Sequence, residues 1–125
     1  MYNFDFNYIR SGTPIVTLNS LGIAFNRASI ELLGNPQKVL VGYDVTARVI
    51  GVKAATEEEN ELAYEFATRM KYDWVRIGCK DFIKKLAIDT EMNFDKKAIQ
   101  FIATYDSDLQ MLIVPIDEKH RKSQK

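Results

Sequence analysis

The chain contains one cysteine, one histidine and three prolines, and it has no long apolar run. Each shortage removes a class of chemistry. The lone Cys79 cannot form an intramolecular disulfide, so a reducing, cytoplasmic setting is expected. One cysteine and one histidine cannot build a zinc site of the usual kind. The histidine, His120, falls in the C-terminal tail, so a His-based triad or histidine general base lacks its central residue. Neither a GxGxxG fingerprint nor a Walker A loop occurs. No stretch reaches the ~18 apolar residues of a membrane span, and the opening residues MYNFDFNYIRSG lack an apolar run of signal-peptide length. No cofactor, metal site, catalytic set or membrane contact is expected.

What remains is an ordinary globular composition, with 46% hydrophobic and 27% charged residues, which argues for a packed domain rather than a disordered chain. At 125 residues, one domain can bury roughly two-thirds of its unfolded surface without disulfides or metals. Lysine plus arginine and aspartate plus glutamate each number 17, but the balance is uneven along the chain. The last seven residues, KHRKSQK, hold four cations and no acid, leaving 13 basic against 17 acidic residues elsewhere. Residues 119–125 have no apolar side chain with which to dock and are expected to form a disordered basic tail on a single domain at 1–118. The tail reads either as a weak polyanion-binding arm or as a solubilising terminus.

The strongest positive signal is an internal repeat. Residues 39–54, VLVGYDVTARVIGVKA, align with residues 101–116, FIATYDSDLQMLIVPI, at an offset of 62. Tyr43/Tyr105, Asp44/Asp106 and Val52/Val114 coincide, and apolar residues match at Val39/Phe101, Leu40/Ile102, Val49/Met111 and Ile50/Leu112. A repeat fixes architecture before any local element is assigned.

The first half reads as β-β-α-β-β over residues 14–53. Ile15–Asn19 and Ile23–Phe25 have strand composition around a Ser20-Leu21-Gly22 turn. Asn26 is placed to cap a short helix that Gly34 ends as a left-handed cap, with Pro36 beyond it. Lys38–Asp44 and Ala47–Lys53 form a hairpin. The second half, residues 62–116, is expected to follow the same order. Its strands are Leu62–Ala67 and Trp74–Ile77, its helix runs from Lys80 to Ile88, and a hairpin of Ala98–Tyr105 and Leu109–Ile116 closes it. One segment carries two readings. Residues 56–70 are rich in helix formers, and Thr56 stands three residues before Glu59 as in a capping box. Repeat logic instead requires a strand at Leu62–Ala67 after a Glu57–Glu61 linker.

Two such units predict an α+β domain with a pseudo-two-fold, rich in antiparallel sheet, each unit covering the other's open sheet face. The expected core includes Ile23, Phe25, Ile30, Leu33, Val39, Val41, Ile50, Trp74, Ile77, Phe82, Leu86, Phe101, Ala103, Leu112 and Val114.

Gly22, the Leu33-Gly34 helix end, the alternating Val39/Val41 and the Ile50/Val52 pair resemble the AbrB/SpoVT group of swapped-hairpin domains. That resemblance implies two units paired into one barrel and, in many members, DNA bound through arginines of the outer strands. The strand Ile23–Phe25 has no arginine here. The pseudo-symmetric α+β layout is also similar to the saddle of the TATA-binding protein, although no basic concave strand set is present. The Trp74-Val75-Arg76-Ile77 stretch, turn and helix further resemble small uncharacterised bacterial and archaeal proteins.

Three places could carry chemistry. Asp44 and Asp106, at equivalent hairpin ends, could form a carboxylate pair for acid–base work or a divalent cation, or could simply cap their own turns. Cys79 opens the second helix beside Lys80 and near Arg76, which favours thiolate, or it is an inert half-buried cysteine. Between Arg69 and Lys85 lie six cations against Asp73 and Asp81, interleaved with Tyr72 and Trp74. Arg69, Arg76, Lys80 and Lys84 from that stretch are the expected anion- or nucleic-acid-binding residues, since a helix start adds free amides to positive charge. The alternative is a solvated helix face with Trp74 in the core. The function expected is a non-enzymatic binding or regulatory module with weak nucleic-acid binding. The runner-up is a structural or protein-interaction subunit that uses exposed sheet edges, with a protein partner or self-association.

Overall fold

The computed structural model describes residues 12–117, 120 and 121. Its α+β chain forms two antiparallel five-stranded sheets and few helices. The strands are β1 (Ile15–Asn19), β2 (Gly22–Phe25), β3 (Lys38–Asp44), β4 (Val49–Ala54), β5 (Tyr64–Glu65), β6 (Met70–Lys71), β7 (Trp74–Gly78), β8 (Ile99–Ile102), β9 (Thr104–Asp106) and β10 (Met111–Pro115). Two α-helices, α1 (Arg27–Leu33) and α2 (Lys80–Thr90), follow β2 and β7. The first sheet has the order β6-β7-β2-β1-β8 and the second β5-β3-β4-β10-β9. The edge strands run into one another along the chain: β8 passes to β9 through Ala103, and residues 66–69 join β5 to β6.

Local chemistry explains the first half well. Asn26 Oδ1 accepts from the Ser29 amide at the start of α1, and Gly34 ends the helix at φ 78°. A left-handed residue costs little there only because glycine has no Cβ. Alternation then buries Val39 on β3 and Ile50 and Val52 on β4 against Leu112 and Val114 on β10.

Residues 56–70 correct both sequence readings. Glu57–Leu62 forms a 3-10 helix that keeps the Thr56/Glu59 capping box, the strand shrinks to Tyr64–Glu65, and Ala67–Arg69 makes a second 3-10 turn. The cause is tertiary. Phe66 is fully buried, and its amide donates to the Gln37 carbonyl at 2.9 Å, which pins the chain to the start of β3. Local propensity yields to such packing.

Most of the expected core is buried, with three corrections. Val41, Trp74 and Phe82 are only partly covered, whereas Val16, Leu18, Phe66, Val75, Ile83 and Phe94 are buried. On β7 the inward positions are Val75 and Ile77, so period-2 geometry turns Trp74 outward. Of the basic tail, only His120 and Arg121 are among the described residues. The Ile102 amide donates to the His120 carbonyl at 2.7 Å, and Arg121 bridges to Phe101. Residues 118–119 and 122–125 lie outside the described set.

Candidate functional site: a cationic groove beside the second helix

The groove begins with the β6–β7 hairpin. Met70 faces Val75 and Lys71 faces Trp74, leaving Tyr72 and Asp73 as its two turn residues, both at positive φ. Alternation along β7 then sends Trp74 and Arg76 to the outer side. The Arg76 guanidinium lies 5.8 Å from the centre of the Trp74 ring, and the Arg69 Nε donates to the Arg76 carbonyl at 3.2 Å. Arg69 is thereby drawn across the hairpin toward Arg76. Asp73, an acid within this cationic stretch, is engaged by Arg27 of α1 at 2.9 Å.

Gly78 and Cys79 carry the chain into α2. Cys79 takes the cap position but makes no side-chain bond to the first turn, in contrast to Asn26 on α1. The first amides of α2 therefore lack a side-chain acceptor, and the helix start retains its partial positive charge. Its own backbone is held from the other half, since the Cys79 amide donates to the Leu21 carbonyl at 3.0 Å.

Arg69, Arg76 and Lys80 all line one groove of about 840 Å³, together with Tyr64, Phe82 and Asp81. Its lining also includes the apolar Leu21, Ile23 and Ala24 from the β1–β2 hairpin and Ile77, of which Ile23, Ala24 and Ile77 are buried. Three cations face one carboxylate. Among the described residues, none of these cations forms an ion pair. Such a surface suits a ligand that carries anionic groups. Burial first, then the neighbouring Cys79 and Asp81, raise the Tyr64 phenol above its ordinary pKa.

Lys84 stands apart. It shares a helix face with Lys80 by spacing, yet it lines a separate hollow with Ile83, Met92 and Phe94. The sequence also left out Tyr64, Phe82 and the β1–β2 residues, which reach the groove through pairing of β2 with β7. Only the apolar character of Ile23 and Phe82 offered any signal, and it pointed to core, while Leu21 read as a turn residue.

The other two candidates resolve differently. Asp44 Oδ1 accepts from the Ala47 amide at 3.0 Å, and Asp106 Oδ1 accepts from the Asp108 and Leu109 amides at 3.0 and 3.1 Å. Each closes its own turn. They lie on β3 and β9, with β4 and β10 between them, so they form no pair. Among the described residues no group of three or more metal-ligating side chains converges.

Cys79 is buried, and burial pushes its thiol up to about 11, opposed only by a backbone hydrogen bond at Ile23. The helix start does not win against desolvation here. Alkylation of the native protein near pH 8 should therefore run on the order of 100-fold slower than in denaturant. Equal rates in a timed iodoacetamide reaction read by mass spectrometry would contradict this burial.

No protein-family model matches the chain, and no curated protein or solved structure is significantly similar to it. No helix among the described residues is long and apolar enough to cross a membrane.

Proposed function

We propose that the chain is a non-enzymatic binding module that takes a phosphate-bearing, nucleic-acid-like ligand in the groove of Arg69, Arg76 and Lys80. The observation that carries this reading is the arrival in one groove of three cations, from a turn, a strand and a helix start, that form no ion pair among the described residues. Phosphate oxygens would take the guanidinium and ammonium donors and the free amides of α2. The partly covered Trp74 ring, outside the groove's lining but beside Arg76, offers planar contact to a base.

Two β-β-α-β-β units, 14–53 and 62–116, related by a pseudo-two-fold, are the proposed frame. Several features support that symmetry. In the β4–β10 ladder Ile50 faces Val114 and Val52 faces Leu112, a register that returns to itself when the halves are exchanged at the 62-residue offset. The two hairpins share one construction. The Ala47 and Leu109 amides bond Asp44 and Asp106, and Arg48 and Gln110 take φ 56° and 55°. The β2–β7 ladder exchanges with itself at a different offset, 53 residues, with Gly22 facing Gly78 and Phe25 facing Val75. The runner-up, a subunit acting through exposed sheet edges, has less to rest on. The edge strands of one sheet continue along the chain into those of the other.

Titration of labelled single-stranded DNA, RNA and mononucleotides at low salt tests the reading. Three phosphate contacts on a single strand imply a log–log salt slope of about −2, or roughly 20-fold weaker binding between about 50 and 200 mM salt. Arg76→Ala/Lys80→Ala should weaken binding by about tenfold or more. Trp74, the only tryptophan, gives a second readout by fluorescence. Equal affinity for wild type and double variant, or no binding of any of these ligands, would reject the proposal.

A further inference from the structure

The groove of Arg69, Arg76 and Lys80 also holds one acid, Asp81, from the first turn of α2. Among the described residues its carboxylate forms no ion pair with those cations and no hydrogen bond. The Tyr64 hydroxyl, brought to the same lining by β5, is likewise without a hydrogen-bond partner among the described residues. The two groups feel each other: after burial and Cys79, the Asp81 charge is a further cause that raises the Tyr64 phenol above its ordinary pKa. Tyr64 therefore keeps its proton at neutral pH. A carboxylate repels phosphate, so Asp81 opposes the three cations unless it meets a hydrogen-bond donor of the ligand. Complementing the helix start asks for an acid in the first turn, but not for one that lines the groove beside Tyr64.

We propose that Asp81 and Tyr64 make this groove selective for ribonucleotides over deoxyribonucleotides, the ribose 2′-hydroxyl donating to the Asp81 carboxylate and accepting from the Tyr64 hydroxyl. The inference rests on the phosphate-binding reading of the groove and adds the sugar to it. A carboxylate only accepts hydrogen bonds, whereas a phenol can also donate. The 2′-hydroxyl does both, and DNA lacks it. An exocyclic base amine could donate to Asp81, but it cannot accept from Tyr64, and DNA carries it as well as RNA. Asp81 and Tyr64 are thus specificity-determining residues, while the cations supply affinity for either sugar.

Fluorescence anisotropy with one short single-stranded sequence, made as RNA, as 2′-O-methyl RNA and as DNA, tests the selection at low salt. The wild-type protein should bind RNA about tenfold more tightly than DNA, the worth of a hydrogen bond to a charged group. The 2′-O-methyl strand, which has lost the donor, should bind as DNA does. Asp81→Ala should bring RNA and DNA within about threefold of each other and should strengthen DNA binding, because a like charge leaves the phosphate site. That opposite movement is not expected of a merely structural loss. Tyr64→Phe keeps the ring and should weaken RNA binding alone, which decides the matter if Asp81→Ala does not fold. Equal binding of RNA and DNA by the wild type, or a preference that survives both substitutions, overturns this inference and leaves the phosphate groove in place. Failure of all three strands to bind rejects the groove itself, and the selection with it.

Discussion

Gly22→Ala is expected to prevent folding, whereas Gly78→Ala is expected to be nearly neutral. The two glycines face each other in the β2–β7 ladder, yet their surroundings are opposite. A Cβ at Gly22 would lie 1.9 Å from the Ile77 carbonyl oxygen and 3.0 Å from the Cys79 amide nitrogen. Both are backbone atoms of the neighbouring segment, so no side-chain rotation relieves the clash. Relief would require separating β2 from β7, which would break the ladder that joins the two halves of the first sheet. The cost should exceed about 4 kcal/mol, most of the stability of a marginal domain. At Gly78 a Cβ would meet nothing within 4 Å. Urea unfolding followed by circular dichroism compares the two variants directly. Equal tolerance of both, or greater damage from Gly78→Ala, would mean that the β2–β7 register is wrong.

Phe66→Ala should cost about 3–5 kcal/mol, the range for emptying a large buried aromatic site. Phe66 is fully buried, and its ring meets Phe25 edge-on with centroids 5.3 Å apart. Such a pair adds about 0.5–1.5 kcal/mol beyond area. The residue also fastens a segment with little regular structure, since the flanking amides of Phe66 and Ala67 donate to Gln37 and Pro36. Leu62→Ala, in the same segment but 78% exposed, should change stability by no more than about 0.5 kcal/mol. A larger loss from Leu62→Ala than from Phe66→Ala would restore a different packing of residues 57–71.

The contrast between Phe66 and the first hairpins explains how far the sequence could be read. Asn26, Gly34 and the Asp44 and Asp106 turns carry their structure in residues next to them in the chain. Their caps and turns were therefore legible. Residues 56–70 take their shape largely from the start of β3, on the far side of β4 in the chain, and composition alone suggested helix or strand. Trp74 failed for a narrower reason. Trp74, Val75 and Ile77 are all apolar, so size favoured the tryptophan inside while strand parity placed its neighbours there. The groove was half legible. Its cations stood out because they cluster within one stretch of chain. Its apolar lining did not, because Leu21, Ile23 and Ala24 belong to the other half and read as a turn and a strand. Lys84 belongs to the same cationic stretch, but the groove ends at the first turn of α2.

Binding of an anionic, base-bearing ligand at Arg69, Arg76 and Lys80 is tested most directly by titrating isotopically labelled protein with a short single-stranded oligonucleotide and following backbone and tryptophan resonances. Perturbations should concentrate at Arg69, the Trp74 indole and residues 76–82, and should fade as salt is added. The β3–β4 hairpin and the Lys84 hollow should stay unshifted. Shifts centred instead on Asp44–Arg48 or the basic tail, or no shifts at low salt, would contradict the assignment of this groove as the binding site.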